Sequence, residues 1–195
     1  SGLVSHQVLQ RDATDRADLD VTGKVTYTGA TSIQIRVLRR HIVVEGFEWA
    51  GAGDVKDNVW KANVKGLPVG GPYDVQVRVL QAEKTLASAS VHDILVGDIW
   101  VLAGQSNMVG SDSKVRDVKR FPPFAGIEEP QFKVRFSYSI GRQNKTESNG
   151  WVDLHPVNDV IGPELSFGRM VTRHLKSPLA VIKCAAGGPH RGGDW

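Results

Sequence analysis

Apolar and polar residues alternate with a period of two through much of the first half of the chain. The alternation is clearest at residues 33–38 and 73–80, and glycine-rich segments at 51–54 and 66–72 predict turns between such runs. A period of two is typical of strands with one buried and one wet face. Several short strands at this spacing favour an antiparallel β-sandwich. The positions predicted to face its core are Ile33, Ile35, Val37, Tyr73, Val75, Val77 and Val79.

The second half changes to continuous apolar runs. Residues 99–103 and 179–182 are uninterrupted apolar segments, which are typical of strands in parallel sheets covered on both faces. Alternation at Phe132, Val134 and Phe136 predicts a further strand. Residues 109–131 carry many charges and two adjacent prolines, and they predict a long surface excursion.

A helix is predicted between these runs, over residues 162–176. Pro163 suits a first helical turn, and Glu164 suits the positive end of the helix. Apolar residues recur at helical spacing, and Ser177-Pro178 ends the pattern. The predicted helical face comprises Leu165, Phe167, Met170, Val171, His174 and Leu175.

Strand, helix and strand in this order indicate an α/β unit with a parallel sheet. We therefore expect two domains that join without a flexible linker. Residues 1–95 are predicted to form the β-sandwich, and residues 96–195 are predicted to form part of an α/β domain.

Composition narrows the classes of function. The chain has 195 residues, a formal charge of +3 and no cluster of Lys or Arg, so we expect no nucleic-acid partner. No apolar run reaches the roughly 18–20 residues of a membrane helix, so we expect no membrane partner. Cys184, the single cysteine, excludes an internal disulfide and any multi-cysteine zinc site. Ser1 follows no basic and apolar leader, as expected where a signal peptide has been removed or the sequence starts late.

Two loops follow the apolar strands of the second half. Ser106 lies in Gly104-Gln105-Ser106-Asn107-Met108, directly after one run, where its hydroxyl could attack and the N–H groups after it could face a developing oxyanion. Such a serine also suits a simple helix N-cap. Gly187 and Gly188 follow the other run, where they allow close approach of backbone to a ligand or form a plain tight turn.

Two tryptophans of the first half have two interpretations. Trp49 and Trp60 lie near predicted strand ends, where an aromatic ring can stack on a sugar. Packing in the core or at the sandwich edge is the interpretation we favour, because bulky aromatic side chains mostly stabilise by burial.

The string at residues 104–108 resembles the first sequence block of the sialate O-acetylesterase group of the SGNH/GDSL hydrolase superfamily. The resemblance extends to Val96-Gly97-Asp98-Ile99-Trp100 before it and to Gly162-Pro163-Glu164-Leu165 after it. It resumes at Lys183-Cys184-Ala185-Ala186-Gly187-Gly188, in the order of the family. Gln7-Val8-Leu9-Gln10-Arg11 resembles the segment that opens the β domain of sialate O-acetylesterases.

This resemblance implies a serine esterase that removes O-acetyl groups from carbohydrates, without a cofactor or metal. Ser106 would be the nucleophile, and its N–H with that of Gly188 or Gly187 would form the oxyanion hole. Residues 96–195 would be the first half of an SGNH-type hydrolase domain. The N-terminal similarity favours sialic acids as the acetylated sugar, and such glycans are expected outside the cytosol, in a secreted, periplasmic or lysosomal setting.

Departures from the family pattern concern the catalytic base. The family takes its base from an Asp-x-x-His block and a further oxyanion donor from a Gln-Gly-Glu block, and neither block occurs in these 195 residues. Pro189 stands where the family usually has Thr or Ser, and it has no N–H to donate. We expect a C-terminal segment or a second chain to complete the hydrolase domain, because a half sheet leaves an apolar edge open.

Three hypotheses follow. The first is the esterase completed by another segment. The second is a non-catalytic carbohydrate-binding or assembly module with a degenerate hydrolase half. The third makes the chain self-sufficient, with His190 or His155 as the base and His174 as a weaker candidate.

Overall fold

The computed structural model describes residues 2–27, 29–30, 32–110, 113–142 and 145–187. The chain divides into two compact units, Ser1–Asp98 and Ile99–Trp195. The assignment of residues 1–95 and 96–195 to a sandwich domain and a hydrolase portion stays a prediction.

The first unit consists of strands in the described residues. The longest strand, β8, begins in this unit and ends in the second unit. The strands are β1 (Val8–Gln10), β2 (Arg16–Lys24), β3 (Ser32–Arg39), β4 (Ile42–Val43), β5 (Ala50–Asp54), β6 (Val59–Pro68), β7 (Gly70–Gln81) and β8 (Lys84–Gly104).

Two sheets of the first unit share one hydrophobic core. In the first sheet, β7 pairs antiparallel with β3 on one side and with β8 on the other. Strands β4 and β5 pair antiparallel with β3, and β1 pairs parallel with β8. Strands β2 and β6 form a separate antiparallel pair. The inward-facing residues of both sheets form one hydrophobic cluster. The apolar positions that alternate in the sequence lie in this cluster or pack against it. Its members include Leu19, Val21, Ile33, Ile35, Val37, Trp60, Leu67, Tyr73, Val75 and Ile94.

Three details of the first unit differ from the predicted pattern. Leu80 is buried although the alternation assigns it to the wet face, because the register of β7 against β8 shifts between Val79 and Leu80. Leu38, also assigned to the wet face, is buried as well. Residues 51–54 belong to strand β5 and pair with β3 instead of forming a turn.

The second unit contains a small mixed sheet with helical segments. Within this unit, the strand order is β10-β9-β12-β8, and β11 pairs with β9. Strand β12 is parallel to β9, whereas β10 and β11 are antiparallel to it. The elements after β8 are α1 (Ser106–Val109), α2 (Val115–Val118), a 3-10 helix (Pro122–Phe124), β9 (Gln131–Ile140), β10 (Thr146–Glu147), β11 (Val152–Leu154), α3 (Pro163–Val171) and β12 (Leu179–Ala185).

The two apolar runs of the second unit differ in burial. Leu179 and Val181 of β12 are fully buried, as expected for a covered strand. In contrast, Trp100 is 50% exposed and Val101 is 63% exposed, so the prediction of a strand covered on both faces is wrong for residues 99–103 in this structure. The physical reason is position: in the described pairing, β1 and β7 contact β8 only up to Gly97 and Val96, so residues 99–103 lie beyond both of these neighbours.

The predicted helix forms, but it is shorter than its sequence pattern. Helix α3 ends at Val171, so His174 lies beyond it and is exposed. Leu165 is fully buried, whereas Met170 of the predicted inner face is 51% exposed. The excursion at 109–131 includes α2 and the 3-10 helix, and its Ile127 is fully buried in the core of the unit.

In the described residues the protein consists mostly of strands, and its larger sheet is mixed. The finer descriptions, an N-terminal sandwich and the first half of an SGNH-type domain, stay predictions. In the described residues, the helices are too short and too polar to cross a membrane.

Candidate active site

Ser106 lies directly after strand β8, as its position in the sequence predicts. It is the first residue of the four-residue helix α1, and it is exposed. We call residues 104–110 the serine loop. The hydrogen bonds of α1 run from the N–H of Val109 to the carbonyl of Gln105 and from the N–H of Gly110 to the carbonyl of Ser106. The first N–H groups of a helix have no acceptor within it, so such a turn presents donors as well as the hydroxyl.

Glycines at both ends give the serine loop its tight path. A Cβ atom on Gly104 would lie 2.8 Å from the Cβ of Met108, so the strand-to-helix turn leaves no room for a side chain. Gly110 has a φ of 79° in the left-handed region that ends α1. A Cβ there would also lie 2.6 Å from the carbonyl oxygen of Ile161. The loop is therefore packed against the segment that precedes α3.

The second candidate loop lies beside the serine loop. The backbone N–H of Ala186, just past the end of β12, donates to the carbonyl oxygen of Gly104 at 3.0 Å. This bond brings the ends of the two strands together, with Gly187 next to the bonded residue. Gly187 is half-buried. Gly188, the preferred oxyanion donor in the sequence, lies outside the described residues.

A buried ion pair lies against the other end of the serine loop. Lys183 of β12 donates from Nζ to Oε2 of Glu164 at 2.7 Å, and both side chains are 1% exposed. The same Nζ lies 3.5 Å from the carbonyl oxygen of Val109, the last residue of α1. Sequence reasoning treated Glu164 only as a helix-end acid and missed Lys183. The available signal was a lysine inside the otherwise apolar strand Leu179–Ala185.

The candidate histidines do not meet the serine loop in the described part of the chain. Nδ1 of His155 lies 2.7 Å from the carbonyl oxygen of Asp153. The imidazole packs edge-on against the rings of Phe136 and Tyr138, at 6.4 Å between centroids in each case. His190 lies outside the described residues. A role as base for either histidine stays a prediction.

Asp153 and Asp159 lie near His155 in the sequence and take part in local structure. Asp153 pairs with Nη1 of Arg135 at 2.5 Å, across strands β11 and β9. The carbonyl of Asp159 accepts from the N–H of Val115, the first residue of α2. Across residues 2–187, apart from the six omitted positions 28, 31, 111, 112, 143 and 144, no three His, Cys, Asp or Glu side chains are grouped to hold a metal ion.

A solved structure shares the fold that carries this site. A novel carbohydrate acetylesterase from Xanthomonas citri aligns with 96% of this chain and 40% of its own chain, with a TM-score of 0.58 and 20% identity. At that identity the similarity concerns the fold. The chain therefore has the fold of part of a carbohydrate acetylesterase.

Family membership follows from the sequence comparison. Residues 96–195 match the family described as "Carbohydrate esterase, sialic acid-specific acetylesterase", and the chain belongs to this family. It is 39% identical over 51 residues to sialate O-acetylesterase of Rattus norvegicus and 37% identical over 51 residues to that of Homo sapiens. These alignments cover 26% of this chain and 9% and 10% of the two relatives, so the chain spans about a tenth of their length in the matched region.

Proposed function

We propose that this chain carries the nucleophile of a serine esterase that hydrolyses O-acetyl groups on carbohydrates. Ser106 is the nucleophile in this proposal. Its own N–H and that of Gly188 or Gly187 stabilise the oxyanion. The observation that carries the proposal is the exposed Ser106 at the start of α1, with the end of β12 bonded to the same loop through Ala186 and Gly104.

The proposed reaction has two steps. Oγ of Ser106 forms a bond to the acetyl carbonyl carbon while an imidazole takes the hydroxyl proton, and the bond from that carbon to the sugar oxygen breaks as the oxygen receives the proton. Water then hydrolyses the acetyl-serine and releases acetate. Backbone donors matter because the carbonyl oxygen gains negative charge, and one lost donor costs about 2.7–4 kcal/mol.

The base comes from outside this chain in our proposal. A C-terminal segment or a second chain supplies the histidine and covers the sheet beside β8. The exposed Trp100 and Val101 support this step, because large apolar side chains that face water favour a partner surface.

Sialic acids are the substrate class that we propose, as 9-O-acetyl esters. Support comes from the family match over residues 96–195 and from the similarity to sialate O-acetylesterases of mammals. The proposed setting is outside the cytosol, secreted, periplasmic or lysosomal, where acetylated glycans are met.

A second candidate function is a non-catalytic carbohydrate-binding or assembly module. The observation that favours it is the surroundings of His155, which contacts Asp153 and two aromatic rings rather than the serine loop. This hypothesis predicts sugar binding or oligomerisation without turnover.

Replacing Ser106 tests the esterase. In the intact protein, Ser106→Ala is expected to lower kcat on a 9-O-acetylated sialoside on the order of a million-fold, because the nucleophile is lost. Folding should be unaffected, since the side chain is exposed and bonds to no described side chain. A fluorophosphonate probe followed by peptide mass analysis should place one adduct on Ser106 of the unmodified protein.

Ser113→Ala is the matched control. Ser113 lies shortly after the serine loop, and in the described structure its hydrogen bonds are backbone bonds with Gly110 and Ile161. It should keep full activity and full labelling. Normal rates for Ser106→Ala would refute the nucleophile assignment, and a wild-type protein without turnover or adduct would favour the non-catalytic module. Turnover by residues 1–195 alone would identify a base within the chain, His190 or His155.

A further inference from the structure

The ion pair of Glu164 and Lys183 is enclosed in the second unit. Glu164 stands in the first turn of α3, and Lys183 stands on β12. Both side chains are 1% exposed, and their charged atoms are 2.7 Å apart. Desolvation of two buried charges offsets most of their attraction, so an apolar pair of similar volume is often as stable. The stability of the unit therefore gives no reason for an ion pair at this position.

The cation has a second neighbour in the serine loop. Nζ of Lys183 lies 3.5 Å from the carbonyl oxygen of Val109, three residues after Ser106. Carbonyls at a helix C-terminus lack N–H donors within the helix, and a lysine ammonium there donates to them and complements the helix dipole. Glu164 fixes where that ammonium stands, because the carboxylate is its closest partner in the described structure.

The backbone around the pair is shaped to admit it. A Cβ atom on Gly162 would lie 2.7 Å from Oε1 of Glu164 and still closer to Oε2 and to Nζ of Lys183. The carboxylate and ammonium therefore lie directly against the chain at Gly162. The neighbouring Ile161 contacts Gly110, the left-handed residue that ends α1. The Lys183 ammonium and the backbone next to Gly162 therefore both contact the C-terminal end of the serine loop.

We propose that Glu164 and Lys183 are positioning residues that hold the C-terminal end of α1, and through it the Ser106 hydroxyl, in the geometry for acyl transfer. This inference rests on the proposed function, because it assigns the pair a role in placing the nucleophile. In this proposal, neither the Glu164 nor the Lys183 side chain contacts the substrate. An apolar pair would fill the same space but would leave the Val109 carbonyl without its cation.

The double variant Glu164→Leu/Lys183→Met separates this role from packing. Each single variant leaves a buried charge unpaired and is expected to lower Tm by about 10 °C. The double variant restores an uncharged, filled interior and should return Tm close to the wild-type value. If the ion pair only stabilised the fold, the hydrogen exchange of α1 and the kcat of the double variant would also return to their wild-type values.

Hydrogen exchange is the first measurement on the double variant of the intact protein. The amides of Val109 and Gly110 report the two hydrogen bonds of α1. Their exchange is expected to be at least tenfold faster than in the wild type, with unchanged exchange in β9. Wild-type exchange at both amides would overturn the proposal, whatever the esterase activity is.

Kinetics on an acetylated sugar are the second measurement. The double variant should lose at least tenfold in kcat with less than a twofold change in KM, since a displaced nucleophile weakens the chemical step more than binding. Full kcat in the double variant would also overturn the proposal. Absence of activity in the wild type, or full activity of Ser106→Ala, would instead refute the proposed function, and the exchange result would still decide whether the pair holds the loop.

Gly162→Ala provides a variant that leaves both charges in place. Its methyl group must displace the carboxylate and ammonium, so faster exchange at Val109 and Gly110 is expected again. Gly168→Ala in α3 is the matched control, because its methyl group would meet Leu154 at 2.5 Å, within the core. The control should lower Tm without changing exchange in the serine loop. Equal exchange in the two glycine variants would contradict the proposal.

Discussion

At the scale of single residues, Gly23 has no side chain, and this leaves space for the indole of Trp60. Trp60 is 7% exposed in the core of the first unit, and its indole lies against the backbone of Gly23 on the neighbouring strand β2. A Cβ atom on Gly23 would lie 2.5 Å from two carbons of the indole. Trp60 is therefore a packing residue, which confirms the interpretation favoured from the sequence. Trp49 has a different environment, since the guanidinium groups of Arg36 and Arg78 lie 4.5 and 4.4 Å from its ring centroid.

Gly23→Ala is expected to destabilise the protein by about 1–3 kcal/mol, because overpacking forces the indole or the strand to move. Gly51→Ala is the control, since it also lies in a strand but its Cβ would meet nothing within 4 Å. Urea unfolding of both variants measures the difference. Equal stability of the two would show that the indole adapts to the methyl group without cost.

The residues of the candidate site were predictable to different degrees. Ser106 could be found because a glycine-flanked serine directly after an apolar strand is a local pattern. Lys183 could not, because its partner Glu164 is 19 positions away and meets it only through the fold. A lysine in an apolar run is more often an exposed residue, and only a tertiary contact makes burial of its charge tolerable.

At the scale of elements, the segment between β1 and β2 is held by acidic side chains. Oδ1 of Asp12 accepts hydrogen bonds from the hydroxyl of Thr14 at 2.7 Å, from its N–H at 2.8 Å and from the N–H of Arg16 at 3.1 Å. These bonds, that of the Thr14 hydroxyl first, hold the pKa of Asp12 below its usual range. Arg11 bonds to Asp98 and Asp15, which raises the pKa of its guanidinium.

The lowered pKa of Asp12 gives its turn a pH dependence of known sign. A carboxylate with a lower pKa in the folded state stabilises the fold above its unfolded pKa of about 3.9, and that contribution disappears as pH falls through the folded value. Asp12→Ala is therefore expected to cost more stability at pH 6 than at pH 2.5, as measured by urea unfolding. Glu83→Ala, at an exposed acid between β7 and β8, is the control for removal of an acidic side chain as such. A cost for Asp12→Ala that is equal at both pH values would contradict this account.

Strands were predictable from the sequence where one face is buried and the other is exposed. They were less predictable where pairing with a neighbouring strand determines which residues are buried or whether a strand forms. The alternation at Ile33, Ile35 and Val37 appears in β3 as expected. The register shift before Leu80 reverses the faces, and it depends on the partner strand β8 rather than on local sequence. Pairing with β3 likewise draws the glycine-rich residues 51–54 into a strand, although such residues locally favour a turn.

At the scale of the whole molecule, burial differs between two strands of similar composition. Leu179–Ala185 lies between β9 and β8 and has a buried interior, whereas residues 99–103 of β8 expose Trp100 and Val101. Trp100 packs on Phe167 of α3 with ring centroids 5.4 Å apart, which shields only part of the indole. The apolar run alone could not distinguish these cases, because a strand's exposure depends on what neighbours it. The proposal that another segment or chain covers β8 accounts for an apolar sequence at this edge.

Lysine substitution in the intact protein tests that cover. Val101 and Ile42 are both exposed strand residues here, at 63% and 73%. If a segment or second chain covers β8, Val101→Lys buries a charge and is expected to cost about 2–4 kcal/mol of unfolding free energy, whereas Ile42→Lys should stay within about 0.5 kcal/mol. Denaturant unfolding of the two variants, at equal protein concentration, gives the comparison. Two equally mild substitutions would mean that the β8 surface stays open to water, and they would contradict the proposed cover of β8.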